Sequence, residues 1–205
     1  MSEIKFATIG TSKITKTFLS AASNVPEFKL EAVYSRNIKN AIEFGTPYNV
    51  TKFYDSLKAL AEDRTIDAVY IASPNAFHCS QAIQMMKAGK HVLCEKSLAS
   101  NKKEAEEMFR TAAENNVILL EAMRPVFDPG MDAVKASLNK LGVIRRATLN
   151  YCQYSSRYDS FLQGQEHNIF SRECSAGALM DIGTYCVHSL LCLFGKPQKV
   201  MGFSD

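Results

Sequence analysis

The stretch that decides the fold runs from residue 68 to residue 96. It begins Ala68-Val69-Tyr70-Ile71-Ala72-Ser73-Pro74-Asn75, continues with helical spacing from Phe77 to Ala88 and Gly89, and closes on His91-Val92-Leu93-Cys94-Glu95-Lys96. The two apolar runs have the length of buried strands, and Gly89 is a helix stop signal. Strand, helix, strand over this length is a βαβ unit, which forces the two strands parallel. Ligands on such sheets sit beyond the carboxyl ends of the strands, where Ser73, Asn75, Glu95 and Lys96 all fall. A lysine held there is a candidate proton donor whose charge is set by its surroundings.

The alternation extends to both sides. Strands are expected at Lys5–Ile9, Leu30–Tyr34, Thr51–Phe53, Ala68–Ile71, His91–Cys94 and Val117–Glu121, with helices starting near Lys13, Ile38, Asp55, Phe77 and Lys102. That pattern predicts an α/β fold, a doubly wound parallel Rossmann sheet, over residues 1–122. The texture then changes. Pro125, Pro129 and Gly130 mark a crossing segment before a helix over Met131–Leu138. Period-two alternation from Val143 to Tyr154 predicts an antiparallel strand with one covered face. The polar, irregular Tyr154–Cys174 reads as a substrate loop. A strongly apolar helix is expected over Gly177–Phe194, ended by Gly195 and Pro197, and then a last strand over Lys199–Phe203. Residues 123–205 therefore read as the N-terminal part of an α+β substrate and dimerisation domain. Its open, mostly antiparallel sheet is incomplete, because two strands alone are marginal in water. Further strands or another subunit must complete the cover.

Composition narrows the function classes. The 205 residues are 46% hydrophobic and 22% charged, ordinary for a soluble globular protein. The net charge of +3 comes from scattered residues, and Lys102-Lys103 is answered at once by Glu104, Glu106 and Glu107. Such a pattern is a solvated helix face and argues against nucleic-acid binding. Met1-Ser2-Glu3-Ile4-Lys5 leads straight into a strand without a signal-peptide pattern. No apolar run approaches the ~18 residues of a membrane span, so a cytoplasmic protein is expected. The six cysteines (79, 94, 152, 174, 186 and 192) show no CxxC spacing and mostly lie in apolar segments. They read as small buried hydrophobes rather than disulfides. His188 and Cys192 stand four apart on a helix but lack further ligands nearby, so no metal is expected.

Three features carry chemistry. Gly10-Thr11-Ser12-Lys13-Ile14-Thr15 follows the first strand and opens a helix, the context in which a glycine-rich turn lets a pyrophosphate approach a helix N-terminus. Ser12 and Thr15 stand where second and third glycines are usual, so a plain strand–helix turn is the alternative. The second strand ends in Ser35-Arg36-Asn37, with no carboxylate for the ribose hydroxyls of NAD. Arg36, helped by the Ser35 hydroxyl, suits a 2′-phosphate and favours NADP; otherwise Arg36 is a surface residue on a loop. Finally, Asp181, Tyr185 and His188 form one polar stripe on the apolar helix. The stripe is either an internal hydrogen-bond network or a polar wall facing the cofactor cleft. In the second case Lys96 and Tyr185 relay a proton at the reacting oxygen, Asp181 orients them, and the nicotinamide carries the hydride.

These residues resemble a known family. Ala68 to Asn75 with His78, followed by Ala88-Gly89-Lys90-His91-Val92-Leu93-Cys94-Glu95-Lys96, looks like the hallmark of the glucose–fructose oxidoreductase / inositol dehydrogenase (Gfo/Idh/MocA) family. Gly177-Ala178-Leu179-Met180-Asp181-Ile182-Gly183-Thr184-Tyr185 resembles its second signature. The resemblance implies an NAD(P)-dependent oxidoreductase acting on a sugar, polyol or related diol. It implies that Lys96 is the catalytic lysine, with Asp181 and Tyr185 as its catalytic partners. The tyrosine, with Tyr154-Ser155-Ser156-Arg157-Tyr158, looks closest to the dihydrodiol dehydrogenase-like branch. Gly10, Thr11, Ser12, Lys13, Ile14, Ser35, Arg36, Ser73, Pro74, Asn75, His78 and Glu95 match cofactor-contacting positions. Arg157, Tyr158, Asn168 and His188 are expected on the substrate side.

The sequence departs from that family in three places. Ser97 stands where proline is usual after the Glu-Lys pair; loss of a trans proline is tolerable, but if that proline is cis, Ser97 must either carry a cis bond or reshape the loop. The glycine-rich turn is thin. Family members also run well past this length, which predicts exposed apolar sheet surface and homo-oligomers. A non-catalytic or truncated dinucleotide-binding protein of the same fold is the competing reading, and a plain assembly module is a third.

Overall fold

The computed structural model describes residues 3–203. The chain divides into two compact units, one of Met1–Ala122 with Glu173–Ser175 and one of Met123–Arg172 with Ala176–Asp205.

The first unit alternates strand and helix: β1 (Ile4–Ile9), α1 (Lys13–Ala22), β2 (Phe28–Tyr34), α2 (Ile38–Gly45), β3 (Lys52–Tyr54), α3 (Leu57–Glu62), β4 (Ala68–Ile71), α4 (His78–Lys87), β5 (His91–Cys94), α5 (Lys102–Glu114) and β6 (Leu119–Glu121). The strands form one six-stranded sheet in the order β3-β2-β1-β4-β5-β6, with every adjacent pair parallel. This is the doubly wound order, and it reverses direction between β1 and β4. A parallel sheet is covered on both faces, so its central strands are continuously apolar. All four residues of β4 are buried accordingly. Ile9, Val69, Ile71, Met85, Met86 and Met108 fill the core beside it. Each such side chain contributes roughly 1.5–3 kcal/mol on burial.

Local chemistry sets the helix starts. Asn37, Ser56 and Asn101 accept from the backbone N–H groups of Lys39, Ala59 and Glu104. The Ser56 cap starts α3 at Leu57, two residues after the expected Asp55. α4 starts at His78 because a 3-10 turn, Asn75–Phe77, precedes it.

At the opposite edge of the sheet from these strand ends, Lys90 is buried and its Nζ donates to the carbonyls of Asp63 (2.6 Å) and Ile66 (3.1 Å). The Asp63 carboxylate accepts from Lys52, Tyr54 and Thr65. Burial alone would raise this carboxyl, but those hydrogen bonds hold it well below the usual carboxylate range. Burial and the same contact push the Tyr54 hydroxyl up to about 12.

The second unit corrects several expectations. The helix expected over Met131–Leu138 is α6 (Pro129–Leu138), with Asp128 capping it through the Gly130 N–H and Pro129 in its first turn. Tyr158–Leu162, inside the segment expected to be irregular, forms a short helix α7. The strands expected over 143–154 and 199–203 are not formed, and no strand of the second unit stands among the described residues. Alternation marks an apolar face, but a strand exists only through the hydrogen bonds of a neighbouring strand. The open antiparallel sheet is therefore not shown among the described residues.

The apolar helix is a π turn over Leu179–Gly183 followed by α8 (Thr184–Phe194). It was expected to be buried; instead Leu179 is 71% exposed and Val187 51%. An apolar helix is covered only by another packed layer. By length and composition Arg172–Phe194 passes as a membrane-length segment, against the expectation that none would. It carries Arg172, Glu173 and Asp181 and is interrupted at Ser175, which has positive φ. All six cysteines are free, but only Cys79 and Cys94 are buried; Cys152 is exposed and the rest are half-buried.

Both strongly placed acid-sensitive groups favour higher pH. Asp63 has a lowered pKa, so its contribution is complete above the ordinary carboxylate range and is lost as pH falls below it. His78 is buried and burial pushes its imidazole down, so its neutral form stabilises the fold above pH ~6.5 and less below. Thermal melts should therefore give a lower Tm at pH ~5 than at pH ~7.5 as His78 is charged, and a further fall toward pH ~3 as Asp63 is protonated. Equal values at the two higher pH values would contradict the His78 assignment, and no fall below pH ~5 the Asp63 one.

Candidate cofactor cradle and lysine turn

Each central strand of the first unit hands its neighbour one hydrogen bond beyond its own end. The Gly10 N–H donates to Tyr34 O, the Ala72 N–H to Ile9 O, the Glu95 N–H to Ile71 O and the Ala122 N–H to Cys94 O. The residues that follow β1, β2, β4 and β5 are thereby brought to one carboxyl edge, with the β1/β4 reversal in the middle. Gly10, Thr11, Ser12, Ser35, Arg36, Ser73, Pro74, Asn75, Glu95 and Lys96 all stand there, as the sequence predicted for that edge.

Gly10 has φ +112°, and a Cβ on it would lie 2.6 Å from the Ala72 carbonyl oxygen. Only glycine permits this approach. Behind it α1 opens with Ser12 as its N-cap, yet the Ser12 side chain makes no capping bond. The first amide donors of α1 thus have no side-chain acceptor, unlike those of α2, α3 and α5. Lys13 and Ile14 lie exposed in that first turn, while Thr15 is buried against the sheet with its hydroxyl unpartnered among the described residues. A cavity of about 360 Å3 borders the turn, lined by Thr11, Lys16, Asn40, Phe44 and Tyr48. At the end of β2 the Ser35 hydroxyl accepts from the Asn37 N–H (3.4 Å), and Arg36 is exposed beside it.

The loop after β4 is held from within. Ser73 Oγ donates to Gln81 Oε1 (2.7 Å), and Asn75 Nδ2 donates to the Ser175 carbonyl (3.0 Å). His78 has no exposed surface; its Nε2 lies 2.9 Å from Ser73 O and its Nδ1 2.8 Å from Ser97 O.

The lysine turn is fastened on both sides. Glu95 accepts from the Tyr70 hydroxyl (2.6 Å) and the Lys96 N–H (3.3 Å), and Leu98 N–H donates to Glu121 Oε1 (2.9 Å). Phe18 of α1 stacks on the Tyr70 ring, centroids 3.9 Å apart. Ser97 is buried, and the Lys96–Ser97 peptide is cis, one of the two outcomes expected for a serine there. Tyr70, Gln81 and Glu121 were missed in the sequence. A tyrosine in a fully buried strand was a usable signal for Tyr70, since a buried hydroxyl needs a partner.

In the second unit, a cavity of about 410 Å3 is lined by Tyr154, Arg157, Tyr158, Phe170 and Asp181, among others. It gathers three of the expected residues: Arg157, Tyr158 and Asp181. Tyr185, Asn168 and His188 are not in its lining. Tyr185 packs near Tyr151, ring centroids 5.7 Å apart. Asn168 opens a 3-10 turn, and His188 Nδ1 lies 3.3 Å from Cys192 Sγ. The polar stripe is thus divided: Asp181 faces the cavity from the π turn and His188 pairs along α8.

The sequence model of the Gfo/Idh/MocA oxidoreductases, with their NAD-binding Rossmann fold, matches residues 4–123. The chain belongs to the Gfo/Idh/MocA family. Among family members, scyllo-inositol 2-dehydrogenase (NADP+) of Bacillus subtilis is 50% identical over 197 residues, covering 96% of this chain and 60% of the relative. The trans-1,2-dihydrobenzene-1,2-diol dehydrogenase of Mus musculus is 30% identical over 201 residues, covering 96% and 59%. A crystal structure of a 3-ketoreductase from Actinomadura kijaniata in complex with NADP and TDP-benzene matches with a TM-score of 0.77 at 27% identity, covering 95% of this chain and 58% of that one. The chain spans about 60% of the length of the curated relatives it matches.

For this family member, Gly10→Ala should cost roughly 1–3 kcal/mol from backbone conformation alone. The contact with Ala72 O adds to that cost. Chemical denaturation should show it, and unchanged stability would mean that the turn is not built as described.

Proposed function

We propose that this chain carries the cofactor and proton-relay machinery of an NADP-preferring dehydrogenase that acts on a sugar, polyol or diol. The observation that carries the reading is the lysine turn: Lys96 stands at the carboxyl edge of a doubly wound sheet, fastened by Tyr70, Glu95 and Glu121. The cradle fits a dinucleotide. Gly10 leaves room where a Cβ would collide, and the uncapped start of α1 offers amide donors to a pyrophosphate. Ser35 and Arg36 end β2 without a carboxylate, which suits a 2′-phosphate.

A bound nicotinamide would supply the hydride transfer. Thr11, Ser12, Lys13 and Ile14 hold the pyrophosphate, and Ser73, Pro74, Asn75 and Glu95 border the rest of the cofactor. His78 supports them from behind. Lys96 hydrogen-bonds the reacting oxygen and, with Tyr185, relays its proton; Asp181 orients the pair. Arg157 and Tyr158, on the walls of the second unit's cavity, would bind the substrate's hydroxyls; Asn168 and His188, outside that lining, are left without a role. The dehydrogenase relatives support an NAD(P)-dependent oxidoreductase.

Six free cysteines suit the reducing cytosol. Exposed Val143, Val200 and Phe203 in the second unit suit association of copies through that unit.

Titration with NADPH and NADH, followed by nicotinamide fluorescence and thermal shift, tests the reading. NADPH should bind more tightly, and Arg36→Asp should weaken it about 10- to 100-fold. Equal affinities would remove the NADP preference, and no binding of either would overturn the cofactor site. In a screen of polyols and diols, Lys96→Met should keep NADPH affinity within about threefold yet lower turnover by about 10²–10⁴. Retained turnover would remove Lys96 from the chemistry.

A further inference from the structure

His78 is fully buried, yet both of its ring nitrogens meet backbone carbonyls: Nε2 at 2.9 Å from Ser73 O and Nδ1 at 2.8 Å from Ser97 O. Ser73 begins the loop after β4, and Ser97 directly follows Lys96. One imidazole therefore spans the two loops that flank the cofactor edge. Two other fasteners of the lysine turn reach elsewhere. Glu95 ties it to Tyr70 within the sheet, and Glu121 ties Leu98 to the end of β6.

We propose that His78 is a positioning residue that transmits cofactor binding at the Ser73–Asn75 loop to the turn carrying Lys96. The inference rests on the reading of Lys96 as the proton-relaying group.

The chemistry of the ring supports a coupling rather than a passive filler. Carbonyl oxygens only accept, so a contact is a hydrogen bond only where the ring nitrogen carries its hydrogen. A neutral imidazole has one N–H and one lone pair. With the hydrogen on Nδ1 it holds Ser97; with the hydrogen on Nε2 it holds Ser73. A small movement of either loop shifts which carbonyl is held, and the ring passes that movement to the other loop. Burial favours the neutral ring, while the nearby Glu95 and Glu121 carboxylates work in the opposite direction. His78 opens α4, whose buried face packs in the core, so the ring is anchored to that core between the two loops.

The test is amide hydrogen exchange of the whole chain with and without NADPH, in wild type, His78→Phe and His78→Gln. In wild type NADPH should slow exchange in residues 73–77 and also in residues 95–98. His78→Phe keeps the bulk and removes the ring's hydrogen bonding. At saturating NADPH it should still protect 73–77, yet exchange about tenfold faster at 95–98, as loss of a buried hydrogen bond implies. At saturating NADPH its kcat should fall about tenfold. His78→Gln, which keeps a donor, should restore most of the protection.

Equal protection of 95–98 in wild type and His78→Phe would overturn the proposal. If neither variant folds, ring 15N spectra of the wild-type protein decide: the His78 resonances should shift on adding NADPH, and bound NADPH with unshifted resonances would overturn it. Absence of NADPH binding to wild type is a separate outcome, one that overturns the cofactor reading and this proposal with it.

Discussion

The close approach of β1 and β4 at the reversal of the sheet is the constraint on which the rest of the site depends. The Ala72 N–H donates to Ile9 O at 2.8 Å, and the turn at Gly10 comes so near that a single added carbon would meet the Ala72 carbonyl. That contact brings the start of α1 beside the loop after β4. It leaves a gap at the edge into which backbone amides point, as in other doubly wound sheets. The steric condition is severe because both partners are backbone. Backbone cannot rotate out of the way as a side chain can.

The rigidity needed to hold such an edge comes from the layer beneath it. β4 is buried on both faces, and the methionines of α4 and α5 fill the space around it. Against that core, the hydrogen bonds at the edge are individually modest, each about 1 kcal/mol net. Their value is in direction rather than strength. Tyr70, Glu95, Glu121 and His78 each act on a residue within two positions of Lys96, so the turn has few ways to move. An apolar interior supplies the stability, and a handful of polar side chains at its rim supply the geometry.

The second unit obeys the same physics with a different result. Residues 143–154 have the alternation of a strand, and residues 177–194 the apolarity of a buried helix. Neither pattern is sufficient alone. Strands need neighbours to satisfy their backbone groups, and an apolar helix needs a layer to cover it. Among the described residues the second unit has no sheet, and its helix is mostly half-buried, with no residue fully covered. What the unit does assemble is local. Segments 153–158, 169–170 and 177–182 close around one cavity through short turns.

The sequence by itself determined the alternation, the parallel sheet and the place of the lysine, because each rests on short-range signals. Apolar run length and the Gly89 stop signal are read within a few residues. It also pointed to Gly10, Ser35, Arg36 and Lys96 as edge residues, since strand ends in a βαβ unit must lie on one side. Only the tertiary structure decided what those residues touch. That Tyr70 reaches Glu95, that Glu121 holds Leu98, and that His78 spans Ser73 and Ser97 all depend on strands and helices far apart in sequence. Side-chain hydrogen bonds across 19 to 25 residues leave no periodic trace in a sequence. They exist only after the apolar core has fixed the sheet register that brings their ends together.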